Sequence, residues 1–186
     1  MWQIVRSGLL PLMVLSATPG LTQVVRYEIT TGIPTRGSQP PGPILPATLT
    51  PLEASTIERH QSPKSRVEEC LKVASTRLVS AVDSAGKGLY QAAAEQIVVY
   101  AALIRYADQV TRGIPSQKRN DRESCLKKVE QSIFRQGPRL DAIVREMPID
   151  YRDSAVTLLE QVKRTRLQAI NDLLGGGSAI RVPEEG

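Results

Sequence analysis

Apolar residues recur from Val67 at intervals of 4-3-4-3-4, through Leu71, Ala74, Leu78 and Ala81 to Ala85. That rhythm sets all of them on one face of a helix, whereas a half-buried strand would alternate. It returns in Leu89, Ala93, Ile97, Tyr100, Ile104 and Ala107, which carry a second helix to about Arg112. A third stripe joins the stem of Arg122 to Leu126, Val129 and Ile133, and resumes at Leu140, Ile143, Val144 and Met147. A fourth runs through Ala155, Leu158, Leu159, Val162, Ala169, Ile170 and Leu173.

The punctuation between stripes fits helix ends. Ser62 is placed to cap and Pro63 to sit at the first helical position. Gly86–Lys87–Gly88 and Gly113–Ile114–Pro115 end the first two helices. The third opens near Asn120 or Asp121; Gly137–Pro138 is expected to kink or break it, and Pro148 to end it. Asp150 with Asp153 resembles a cap and its third-position acid, opening the fourth, which Gly175–Gly176–Gly177 terminates. The reading is an all-α domain over 63–174, made of two antiparallel helical hairpins as a skewed or stacked four-helix bundle. With 4% aromatic residues, its core is built mainly from Ala, Val, Leu and Ile.

Residues 21–62 read as a Pro-rich flexible linker. Pro34, Pro40, Pro41, Pro43, Pro46 and Pro51 fall there, and such density stops long helices and central strands. Two islands stand out within it. Val24–Thr31 is β-branched and suits a short strand, either frayed or added to a partner's sheet edge. Thr50–Pro51–Leu52–Glu53 forms a capping box, predicting a short helix over 51–60. His60, the single histidine, sits in a polar stretch with no clustered ligand and reads as solvated.

Residues 1–20 carry one positive charge at Arg6, an apolar run from Gly8 to Ala17, and small residues at the exit. This is the pattern of a secretory signal peptide, and the run is too short to span a bilayer. A buried N-terminal helix is the alternative, against which Pro11 and Pro19 argue. The expected location is periplasmic or extracellular, with no transmembrane segment. Residues 175–186 read as a disordered tail.

An exported chain with two cysteines is expected to oxidise them. Cys70 and Cys125 lie at similar depth in the first and third helices, so a bridge between them requires those helices to touch. Two free buried thiols are the alternative. Glu68-Glu69-Cys70-Leu71-Lys72 and Glu123-Ser124-Cys125-Leu126-Lys127 also match at four positions, a weak internal repeat at an offset of 55.

Motifs for chemistry are missing. The sequence holds no Glu-x-x-His pairs, haem-attachment motif, P-loop or nucleophile elbow, so no catalytic residue, cofactor or metal is assigned. Basic residues cluster instead. Lys118, Arg119, Arg122, Lys127 and Lys128 surround the start of the third helix, and Lys163, Arg164 and Arg166 lie in the fourth. They are candidates for an anionic partner, against the plainer reading of a solvated surface. Tyr90 and Tyr106 are placed at the edge of the second stripe, where they pack or serve a partner.

Ser84–Arg112, with its Gly-bearing turn, Tyr90-Gln91-Ala92-Ala93-Ala94 and then Tyr100, resembles uncharacterised secreted helical-hairpin domains of bacteria. The resemblance implies a fold and a compartment, and no activity. A tetratricopeptide array is excluded, because no 34-residue period appears. The expected function is a non-catalytic exported interaction or scaffold module with an unidentified protein partner. The alternative is an envelope protein that binds anionic lipid or polymer through a basic helix face. Nucleic acid is disfavoured by export.

Overall fold

The structure, a computed structural model, describes residues 43–175. The leader expected at 1–20, the strand expected at 24–31, the part of the expected linker before residue 43 and the tail expected past Gly175 lie outside the described residues. The described residues form five α-helices and no strand: α1 (Pro51–Glu58), α2 (Pro63–Gly86), α3 (Tyr90–Arg112), α4 (Arg119–Glu146) and α5 (Ile149–Leu173). A 3₁₀ turn over Ser116–Lys118 leads into α4.

Helix α1 opens on a capping box. The Glu53 amide donates to Thr50 Oγ1 at 3.3 Å, and the Thr50 amide donates to the Glu53 carboxylate at 2.9 Å. The helix stops at Glu58, short of His60. The short helix expected over 51–60 is thus formed over 51–58, and it packs on the domain. Ile57 is 0% exposed within the main core, and Leu45 and Leu49 pack against that core. Proline density forbids a long helix, but it permits one that begins at Pro51 and is anchored by a single buried side chain.

Helix α2 buries Val67, Cys70, Leu71, Ala74, Leu78 and Ala81. Gly88 adopts φ 72°, a left-handed turn residue that lets Leu89 donate back to the Ser84 carbonyl at 2.9 Å. Helix α3 is buried on more than one side, because it packs on α2, α5 and α4. This corrects the placing of Tyr106 at an edge: its side chain is buried, at 3% exposure.

Helix α4 runs unbroken through Pro138, where the sequence pointed to a kink or break. A proline inside a helix costs about 3 kcal/mol. Beyond it, Leu140, Ile143, Val144 and Met147 are all buried, and each large apolar side chain contributes about 1.5–3 kcal/mol. Core burial on both sides of Pro138 therefore outweighs the lost backbone bond. The Asp150 cap is likewise corrected. Pro148 occupies the position before α5, no side chain caps it, and its carbonyl accepts from the Tyr151 and Arg152 amides, both at 3.0 Å. Asp150 instead sits in the first turn, where the helix dipole favours a carboxylate.

The helices pack as α2 on α3, α4 on α5, α3 on α5 and α2 on α4, with α1 resting on α2. Ala74, Ala81, Ala93 and Ala107 are fully buried, and such small side chains allow close helix approach. Ion pairs tie the helices together. Arg77 of α2 grips Glu53 of α1 through Nε at 2.8 Å and through Nη2, while its Nη1 reaches Gln96 of α3 at 2.8 Å. Arg112 joins Asp108 of its own helix, at 2.8 Å, to Asp172 of α5, at 2.7 Å.

Candidate anion-binding groove

Lys128, Ser132, Arg135 and Arg139 follow one another on α4 at a 4-3-4 spacing, so they share a face beside the buried stripe. That face borders α2, since Lys128 Nζ contacts the Glu68 carboxylate. Between the two helices lies a groove of about 400 Å³, lined by these four residues together with Ser75, Gln131 and Gln136. At 1.5 Å per residue, Lys128 and Arg139 stand about 16 Å apart along the helix axis.

The lining contains three cations and no carboxylate. Among the described residues, Arg135 and Arg139 are exposed and form no salt bridge. Gln136 Oε1 is buried without a hydrogen-bond partner. An unmatched buried amide oxygen is costly, and as an acceptor it can be satisfied only by a hydrogen-bond donor such as a hydroxyl, not by an anionic oxygen. Lys128 is partly neutralised by Glu68, whose carboxyl lies below the usual carboxylate range. The Lys128 hydrogen bond is the main cause, opposed by burial and assisted by the charges of Lys128, Lys64 and His60. Arg135 and Arg139 therefore carry the uncompensated positive charge of the groove.

The cations picked out from sequence do not converge. Lys128 alone of the eight lines this groove. Arg119 and Arg122 flank a hollow of about 360 Å³ at the start of α4, but Glu123 and Asp172 share it. Arg119 is bound to Glu123 at 2.6 Å. Lys118 and Lys127 are exposed. Lys163 reaches Glu160 at 3.2 Å and Asp141 at 3.5 Å. Arg166 donates to Glu130 at 2.9 Å, with its guanidinium carbon 4.6 Å from the centre of the Phe134 ring. Arg164 lies elsewhere, in a hollow between α3 and α5. Arg135 and Arg139 escaped the sequence reading because it sought local runs of charge. The 4-3-4 spacing from Lys128 to Arg139, free of acids, is the signal that leads to them.

The expected bridge between Cys70 and Cys125 is absent, and both thiols are free and buried. Helices α2 and α4 do touch, yet the sulfurs serve different neighbours. Cys70 donates to the Leu103 carbonyl of α3 at 3.2 Å. Cys125 feels Lys64 and Glu68 of α2 and Lys128 and Asp121 of α4. Burial pushes the Cys70 thiol up to about 12, against a smaller opposing effect of the Ala107 amide. Neither sulfur is therefore poised as a nucleophile. Tyr100 is also fully buried; its hydroxyl has no partner, and burial raises its pKa.

Among the described residues, no group of three or more His, Cys, Asp or Glu side chains is arranged to hold a metal ion, and no helix is long and apolar enough to cross a membrane. Comparison of the chain with protein families, curated proteins and solved structures gives no match.

Proposed function

We propose that this chain is a non-catalytic, exported helical module that holds a linear anionic polymer in the α2/α4 groove. In this reading α2 with α3 and α4 with α5 form two stacked antiparallel hairpins, a rigid frame whose seam is the binding surface. The observation that carries the proposal is a carboxylate-free groove with two uncompensated arginines. Arginine presents a planar fork matched to carboxylate or phosphate, so the two can each grip one anionic unit. Ser75, Gln131, Ser132 and Gln136 add neutral hydrogen-bonding groups suited to a hydroxyl-bearing chain. A concave seam of this kind fits a strand better than a flat lipid surface. Export is supported by the pattern of residues 1–20.

The test uses the full chain and calorimetry with galacturonate oligomers, which carry carboxylates and hydroxyls. Binding should weaken steeply with salt, as expected for exposed charges screened over about 8 Å at physiological ionic strength. Arg135→Gln with Arg139→Gln should abolish binding at this groove, removing one bound oligomer per protein, while helicity and melting stay unchanged. Unchanged stoichiometry and affinity in that double variant refute the proposal. So does binding to anionic phosphatidylglycerol vesicles in the absence of oligomer binding, which would make a membrane the partner.

A further inference from the structure

The pairing of helices leaves a second seam. Helix α3 packs on α5, and this seam shares no helix with the α2/α4 seam; moreover α2 and α5 do not meet. The two seams therefore face away from each other across the bundle. The α3/α5 seam holds a hollow of about 190 Å³, again with no carboxylate in its lining. Arg105 of α3 and Arg164 of α5 stand on its two sides. Both are exposed, and neither forms a salt bridge among the described residues. Gln161 and Gln168 add two amides, and Val162 and Ala101 are its buried apolar members.

The chemistry repeats that of the first groove: two arginines free of acids, with neutral amides between helices. Of the other cations on α5, Arg166 holds Glu130 and Lys163 holds Asp141 and Glu160, while Arg152 bonds backbone carbonyls. Two arginines without acid partners facing one carboxylate-free hollow leave this seam net positive.

We infer that the domain is bivalent, with a second anion site at Arg105 and Arg164 that lets one molecule join two anionic strands. This rests on the proposed function of the α2/α4 groove. Two sites on opposite faces cannot both be filled by one short oligomer. They can be filled by separate strands, and a long polymer carrying many binding positions is then cross-linked by the protein.

The experiment combines stoichiometry with light scattering on the full chain. Calorimetry with short galacturonate oligomers should give two bound oligomers per protein. Arg105→Gln with Arg164→Gln should reduce this to one, leaving the remaining affinity within twofold. Arg135→Gln with Arg139→Gln should also leave one, of the other class. Long polygalacturonate should turn solutions of the wild type turbid, and neither double variant should do so. One oligomer per wild-type protein, unaffected by the Arg105/Arg164 pair of changes, overturns bivalency and leaves the first groove standing. Binding abolished by the Arg105/Arg164 changes alone overturns both readings, as does no binding at all.

Discussion

Ile57→Ala tests whether the segment before α2 belongs to the folded core. Ile57 is fully buried in α1, and the substitution deletes three side-chain carbons. At about 0.8 kcal/mol per buried methylene, the transfer loss is about 2.4 kcal/mol. A cavity term adds to it, and measured losses for such truncations span about 2–5 kcal/mol. Helix α1 is short, lies at the edge of the domain and packs on α2, so the site can partly collapse and the cost should fall near 3 kcal/mol. In a domain of this size that lowers the melting temperature by about 10 °C. Thermal melts followed by circular dichroism measure the shift. Leu52→Ala on the same helix is the control, because Leu52 is 75% exposed and its loss should be nearly silent. A melting temperature for Ile57→Ala within about 1 °C of wild type would show that α1 does not bear on the core.

Two further outcomes follow from buried charge and buried sulfur. Burial works to raise the Glu53 pKa, but the Arg77 guanidinium and the Thr50 amide and hydroxyl outweigh it, so the folded carboxyl titrates below its ordinary value. Its contribution is therefore complete above the unfolded carboxyl pKa and lost as pH falls through the folded one. Glu53→Gln should cost about 1 kcal/mol near neutrality, a cost that shrinks in urea titrations as pH falls through the lowered folded value, the figure allowing for partial solvent screening. A cost that does not change with pH refutes this account. For the thiols, Ellman's reagent at pH 8 without reductant should label neither Cys70 nor Cys125 in the native chain and both in denaturant, because both are free and burial raises both pKa values. No labelling in denaturant would mean that the bridge forms after all.

Much of the helical layout was legible in local order. The stripe from Val67 to Ala81 is buried as its period required, and Thr50 and Glu53 close their capping box within four residues. Such features depend on neighbours one turn away, and a linear sequence displays them directly. What the sequence could not display were outcomes settled by distant partners. Proline at position 138 argues locally for a break, and only the burial of Leu140, Ile143 and Val144 against other helices decides for continuity. Ile57 looks like one apolar residue in a polar linker until the core receives it. The basic cluster dissolved for the same reason. Lys128 is taken by Glu68 from 60 residues away and Arg166 by Glu130 from 36, while Arg135 and Arg139 are left open. Periodicity tells each helix which side to bury. Which charges meet across a seam depends on how helices are placed beside one another, and that placement exists only in the folded chain.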